Sequence, residues 1–434
     1  DSWLNHARTA LSMCSGSGTA EAARSVVQAV VQKWPAPGNV SMDIRTVAWW
    51  EQAHECHQLL YDNHLWCNSV VQYEHETPHL FYDVMSLYKP NLFVAGTGYR
   101  KKRRILMKAN VSQCLDCGTH SVADSDFRCF APYADMSVSG LPCTDMSKMG
   151  YQLKREGETS AVYIAHGRFV QERRVPLLVL ECTPDLDMGM VEDTHPDFDW
   201  YQLFMTPGDT GHRGMARDRT YVVGCHNQRT TCKHDMEQLL QAFSKRMSRK
   251  VQTVPSDYFF ADQVEVSLEA RTLAERRGIE FRPGVFDLTY LLSEAERRRL
   301  NRYVSDFQQK FGRDACQDRD LVVFLGDDPD KGWRTWSATS AAIPTFRRNV
   351  RTGLMWSPYW RRWLTPREKL AAMGWPVLPD MAAAMQCSVV PARDVFRAAA
   401  LAGNAMHFNC VAWAQLLALA CTAPMTGLHF GLGY

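Results

Sequence analysis

The stretch Ser139-Gly140-Leu141-Pro142-Cys143-Thr144 sets a thiol on a proline-led turn, directly after the short apolar run Met136 to Ser139. Such a thiol is either a nucleophile or a small apolar residue in a loop, since unpaired Cys is among the most buried residue types. Two further groups could work with it. Glu181 closes the apolar run Val175 to Leu180, and a carboxyl group there could give a proton to a reacting atom. Arg217 and Arg219 stand two apart on a strand-like segment, a spacing that turns both side chains to one side. A thiol, a carboxyl and two guanidinium groups are the parts of covalent catalysis with charge stabilisation.

These groups need a scaffold, and the first half of the chain reads as one. The run Ala10 to Cys14 is followed by Ser15-Gly16-Ser17-Gly18 and a helical stretch from Ala20 to about Trp34, which implies strand, glycine turn and helix. The glycines let the backbone come close to a ligand, and the helix start beyond them offers unpaired N–H groups. The β-rich run Arg45 to Trp50 is closed by Glu51. A carboxylate at the end of a second strand either binds a ribose or simply stands in water. A third run, Leu80-Phe81-Tyr82, ends in Asp83-Val84. With the runs leading to Cys143 and Glu181, five candidate strands end in polar or reactive residues. This predicts an α/β fold with a mostly parallel, doubly wound sheet and a ligand site at its carboxyl rim.

The chain has 434 residues, 46% of them hydrophobic and 22% charged, enough for a sizeable core and unlike a disordered or fibrous chain. Length allows two or three domains, or one large core with an inserted module. From about Asn227 to Ser357 the character shifts to charged helical stretches such as Leu292 to Lys310, marking that module. The formal net charge of +2 argues for no polyanionic partner by itself, but Arg100 to Arg104 and Arg297 to Arg299 are basic clusters, either solvated faces or phosphate contacts. No run of eighteen apolar residues occurs, and Val411 to Ala423 is too short for an ordinary spanning helix. No signal peptide is visible, and the 14 Cys lack the density of a secreted scaffold, so a reducing compartment is expected. Cys114, Cys117, His120 and Cys129 could hold zinc or be unpaired thiols in an insertion. Cys225, His226, Cys232 and His234 form a second, less regular set, and the aromatic stretch Trp356 to Trp360 is read as packing.

Taken in order, these segments resemble the S-adenosylmethionine-dependent cytosine-5 DNA methyltransferases. Cys14 to Gly18 is similar to that family's glycine-rich first motif, Glu51 with Asn63 twelve positions on to the second, Asp83-Val84 to the third, and Gly140-Leu141-Pro142-Cys143 to the fourth, which carries the nucleophile. Glu181 stands at the next motif, Met215 to Arg219 with Thr220 to Val223 resembles the one after, and Leu364 to Glu368 running on to Pro376, then Gly403-Asn404-Ala405-Met406, are similar to the last two. The sequence departs from the pattern at Ser12 (usually Asp), Thr144 (usually Gln), Cys182-Thr183 (usually Asn-Val) and Met215 (usually Gln).

The resemblance implies a Rossmann-like methyltransferase sheet built from residues 1–226 and 358–434, with a target-recognition domain at 227–357. It implies Cys143 as the thiol that adds to carbon 6 of a flipped cytosine, Glu181 as the group at ring nitrogen 3, and Arg217 and Arg219 as anchors for the base and for Glu181. It implies S-adenosylmethionine held by Ser15, Gly16, Gly18, Glu51, Asp83, Val84, Pro142, Asn404 and Ala405. Double-stranded DNA is the expected substrate, which implies a nuclear location. Structured RNA, or a role as a catalytically weakened reader of nucleic acid, are the alternatives. A start at Asp1, almost on the first motif, suggests an excised or fragmentary chain.

Overall fold

The structure, a computed structural model, describes residues 2–33, 40, 42–87, 97–106, 131–147, 150–332, 334–347, 354–390 and 394–425. The elements run in the order α1 (Trp3–His6), β1 (Thr9–Met13), α2 (Thr19–Lys33), β2 (Arg45–Trp50), α3 (His54–Val71), β3 (His79–Phe81), α4 (Tyr99–Leu106) and β4 (Met136–Ser139). They continue with α5 (Ser160–Glu172), β5 (Leu177–Cys182), α6 (Met188–Thr194), β6 (Phe198–Met205), β7 (Arg219–His226), β8 (Thr230–Cys232), α7 (Met236–Ser248), α8 (Gln263–Arg277) and α9 (Glu294–Phe311). The remainder is β9 (Val323–Phe324), β10 (Met355–Ser357), β11 (Arg362–Trp363), α10 (Pro366–Ala372), α11 (Pro379–Ala384), α12 (Val395–Leu401), α13 (Phe408–Cys421) and β12 (Thr422–Pro424).

Seven strands form one sheet in the order β3-β2-β1-β4-β5-β7-β6. The first five are parallel, while β7 pairs antiparallel with both β5 and β6. The chain steps outward from β1 to β3 and then crosses back to lay β4 on the other side of β1. That reversal opens a crevice between the carboxyl ends of β1 and β4, the place where open α/β sheets bind ligands. The expected doubly wound α/β architecture is therefore present.

Why these segments become strands is visible in β5. Leu177 to Cys182 is buried along its whole length, as a strand covered on both faces must be. Leu177 and Val179 join one core with α2 and α13, and Leu178 and Leu180 join the core on the other face with α5. The apolar α13 is covered on nearly all sides, which is why it carries no polar stripe. Among the described residues no helix is long and apolar enough to cross a membrane.

A third core is separate. It gathers Val266, Ala270, Leu291, Tyr303, Phe307, Trp336, Trp356 and Trp363 under α8, α9 and the three-stranded sheet β11-β10-β9. It draws on residues 261–363, whereas α7, which follows the expected module boundary at 227, packs Met236 and Leu240 into the main core. In the aromatic stretch read as packing, Trp356 is core and Trp360 packs against the main core, while Tyr359 is exposed. At the seam, Arg362 of β11 makes two hydrogen bonds of 2.7 and 2.8 Å to Glu368 of α10, and the same carboxylate closes a capping box with Thr365. Sequence motif and domain seam thus coincide at Leu364 to Glu368.

Candidate active site

The loop after β1 forms the first wall of the crevice. Cys14 leaves the strand with φ of +54°, and Gly16 and Gly18 also have positive φ. Gly18 is needed twice over, because its backbone is left-handed and a Cβ there would stand 3.2 Å from Leu60 Cδ2. Neighbouring strands clamp the loop. Ser15 N–H donates to Trp50 O (3.1 Å), Gly16 N–H to Glu51 Oε2 (2.6 Å), and the Asn63 amide to Ser17 O. Glu51 thus sits at the end of β2 with its second oxygen accepting from Ala53 N–H (2.9 Å), and Asp83 accepts from Met85 N–H (2.9 Å) at the end of β3.

Ser15, Gly16, Asn404 and Ala405 line one cleft together with Ser12, Thr19, Gly140 and Met406. These expected cofactor contacts, from opposite ends of the chain, are brought together at the switch point. Gly18 faces α3 instead, and Val84 is buried in the core beneath the sheet. Glu51 borders the glycine loop through Gly16, while Asp83 and Pro142 are not part of the cleft's lining.

The loop after β4 forms the second wall. Gly140 lies against the first loop, its Cβ position 3.5 Å from Cys14 O and 3.8 Å from Glu181 Oε2. After Pro142, the Cys143 carbonyl accepts from Met146 N–H (3.0 Å) and Ser147 N–H (2.9 Å), so the thiol rides on a tight turn. Asp145 ties that turn to the start of α5 by accepting from Thr159 N–H (2.9 Å) and Thr159 Oγ1 (2.6 Å). Cys143 is half-buried, and burial and the Glu181 charge push its pKa up while Arg219 and Arg217 pull it down.

Glu181, near the end of β5, pairs with Arg219, at the start of β7, with Nε to Oε1 at 2.9 Å and side-chain exposures of 9% and 14%. The antiparallel register, Glu181 opposite Tyr221 and Cys182 opposite Thr220, sets Arg219 just past the strand end where it can turn back. Arg217 departs from the expectation that both arginines face one side. The segment at 215–218 lies outside β7, with Met215 bridged to Ile343, so strand alternation does not reach Arg217. Its buried guanidinium donates to the carbonyls of Gly403 and Ala405, and burial together with Arg219 lowers its pKa to about 10. Arg217 therefore holds the cleft's far wall, and only Arg219 holds Glu181.

At the departures from the family pattern, Cys182 accepts from Tyr163 Oη (3.4 Å) and burial pushes its thiol up to about 12, which makes it inert packing. Ser12 hydrogen-bonds Glu21, a residue sequence reasoning missed although its place in the first turn of α2 suits an acidic side chain. A buried imidazole pair, His166 Nδ1 to His195 Nε2 at 2.8 Å, was missed as well.

The zinc set Cys114, Cys117, His120 and Cys129 lies outside the described residues. Among those described, no group of three or more His, Cys, Asp or Glu is placed to hold a metal, so Cys225, His226, Cys232 and His234 do not form the second set. Cys225 and His226 are consecutive on β7 and point to opposite faces, which separates them.

No family model matches the chain, and no curated protein matches it. Among solved structures it is similar to the Entamoeba histolytica methyltransferase EhMeth, at 10% identity over 95% of this chain and 98% of that one, with a TM-score of 0.47. It is also similar to the S. pombe Dnmt2 methyltransferase, at 11% identity over 95% and 98%, with a TM-score of 0.46. A putative DNA modification methyltransferase encoded within an E. coli prophage is similar at 13% identity over 95% and 98%, with a TM-score of 0.46.

Proposed function

We propose that the chain is an S-adenosylmethionine-dependent cytosine-5 methyltransferase acting on DNA. The observation that carries this reading is the meeting, at one switch point, of the Cys143 thiol and the Glu181–Arg219 pair with the cleft of the glycine loop.

The lining of the cleft has the polar groups that would hold the amino-acid end of the methyl donor. Its lining offers hydroxyls at Ser12, Ser15 and Thr19 and backbone at Gly16 and Ala405, with Glu51 beside it for a ribose. When bound, the donor supplies the methyl group. The chain's own residues do the rest. Cys143, as thiolate, adds to carbon 6 of the cytosine and moves electron density onto carbon 5. Glu181, charged beside Arg219 in the free chain, must take up a proton as the base enters and then donates it at ring nitrogen 3, which relieves the charge that builds there. Arg219 holds that carboxyl in place through its 2.9 Å contact. Once carbon 5 carries the methyl group, its proton passes to water, Glu181 takes back the proton at nitrogen 3, and expulsion of the Cys143 thiolate restores the ring.

A base inside a duplex is out of reach, so flipping costs roughly a few kcal/mol. We assign the unit around the third core, residues 261–363, with the exposed Arg276 and Arg298, together with Arg100, Lys101 and Arg104 on α4, to the backbone contacts that offset this cost. A nuclear location accompanies a DNA substrate.

The test is a duplex DNA and a folded RNA, each carrying 5-fluorocytosine, offered with S-adenosylmethionine. The fluorine cannot leave as a proton does, so a working thiol stays attached through denaturation. An adduct with DNA that Cys143→Ala abolishes establishes nucleophile and substrate. An adduct with RNA alone keeps the chemistry and replaces the substrate, and no adduct with either, despite donor binding, overturns the reading.

A further inference from the structure

The cofactor cleft has a charged residue beneath its floor. Glu21, in the first turn of α2, is only 6% exposed, and its Oε1 accepts a hydrogen bond from Ser12 Oγ. Its Oε2 is buried without a hydrogen-bond partner. Arg24, the cation that senses its charge, directs its guanidinium to Gln415 and Thr46. No guanidinium therefore closes on this carboxylate among the described residues.

The direction of the next bond follows from counting hydrogens. A carboxylate only accepts, so the single Ser12 hydroxyl hydrogen goes to Glu21. Ser15 Oγ lies 2.6 Å from Ser12 Oγ, closer than its other acceptors, the carbonyls of Ser12 (3.2 Å) and Trp50 (3.4 Å), and with Ser12's hydrogen spent, Ser15 is the donor to all three. Ser15 then keeps its lone pairs for the cleft it lines. Glu21 thus turns a hydroxyl of either polarity into a fixed acceptor, backed by a buried negative charge. On the same cleft lie Thr19 and Ala20, the first residues of α2, where N–H groups lack intrahelical acceptors. An acceptor backed by an anion beside a helix start is complementary to a zwitterion, with ammonium toward Ser15 and carboxylate toward the helix.

Resting on the proposed function, we propose that Glu21 is a positioning residue for the methyl donor. Acting through Ser12 and Ser15, it selects the α-ammonium group of the donor's amino-acid end. Glu21 touches no reacting atom, and its effect is confined to which ligand the cleft accepts.

The experiment compares S-adenosylhomocysteine with its analogue in which hydrogen replaces the α-amino group, by titration calorimetry on the full chain. Wild type should prefer the amino compound by roughly tenfold or more, the scale of one hydrogen bond to a charged group. Glu21→Gln should shrink that preference to about threefold or less while binding of the analogue hardly changes, a difference that general loosening of the fold cannot produce. Ser12→Ala, which keeps the charge and cuts the chain, should shrink it too, and remains informative if Glu21→Gln does not fold. Ser12→Asp added to Glu21→Gln should restore it, because a carboxylate at 12 stands beside Ser15 directly. An unchanged preference in folded Glu21→Gln overturns the inference and leaves the methyl-donor reading standing. Binding of neither compound by wild type overturns the methyl-donor reading, and this inference with it.

Discussion

The pair of Glu181 and Arg219 should set the reactivity of Cys143, and a three-variant series can measure it. At 2.9 Å, two unit charges attract by about 6 kcal/mol at an effective dielectric near 20, before desolvation of both ions takes back a large part. The thiol senses both partners, since Glu181 raises its pKa and Arg219 lowers it. A charge at this range moves a pKa by about one unit, or about 1.4 kcal/mol. Glu181→Gln should therefore lower the Cys143 pKa by about one unit, and Arg219→Ala should raise it by about one, because it removes a cation and unmasks a carboxylate. The double variant should lie between them. The assay is modification by an aromatic disulfide across pH, followed on the Cys143 peptide by mass spectrometry. One unit gives tenfold more thiolate at a pH below the titration, but each thiolate is about threefold less nucleophilic, so the rate changes only about threefold. The midpoint is the better readout, with roughly two units separating the single variants. A Glu181→Gln thiol that titrates higher than wild type, or a double variant outside the range of the singles, would refute the electrostatic account.

Other consequences follow from the buried groups. Burial lowers His195 and His212 to about 4, so below the unfolded value near 6.5 the unfolded chain takes protons that the native chain refuses, and stability falls as pH drops toward 4. At pH 5 each costs about 2 kcal/mol relative to pH 7, and His195→Gln should remove about that much of the loss in urea titrations. Gly167→Ala would place a Cβ 2.2 Å from the Thr194 carbonyl, forcing α5 from α6 and breaking the His166–His195 bond, with an expected loss of about 1–3 kcal/mol in the same titrations. Arg217→Met removes the donors to Gly403 and Ala405, and should raise the KM for S-adenosylmethionine by roughly tenfold with a smaller change in kcat.

Much of the scaffold was legible because its signals are local. Arg45 to Trp50 is β2 to the residue, and the runs before Asp83, Cys143 and Glu181 are β3, β4 and β5; β5 is marked by its unbroken apolar run, and β2 and β4 by short β-rich stretches that end at polar or reactive residues. The β6 strand escaped because Phe198 to Met205, at the sheet's edge, is half-buried through Trp200, Tyr201 and Gln202 and carries Asp199 and Gln202, which break up the apolar run. Arg217 was misplaced for a different reason. Spacing of two settles a common face only inside a strand, and β7 begins at Arg219 because the preceding residues are held by Ile343 from far along the chain. Glu21 was invisible because Ser12 in its neighbourhood carries no charge to announce it. Contacts between residues distant in sequence decided each of these cases, and periodicity carries no information about them.

The charges are sorted across the switch point. On the side of β1 to β3, Glu21, Glu51 and Asp83 accept from hydroxyl or backbone N–H groups, Glu21 through one oxygen alone, and the Cys14 thiol there is pushed up by burial, Glu51 and Asp83. On the side of β5 and β7, Arg217 and Arg219 supply the positive charge, and the Cys143 thiol, raised overall by burial and Glu181, is pulled part of the way back by both. Neutralising a carboxylate with N–H dipoles leaves its field in the cleft, whereas neutralising it with a guanidinium cancels it. On the proposed function, a cationic methyl donor would meet the carboxylates of the β1–β3 half, and a ring that gains negative charge would meet arginine in the other. Cys143 stands beyond the end of β4, where the two halves meet, so that on the proposed function the thiol lies on the Glu181 side of Gly140 and the glycine-loop cleft on the other.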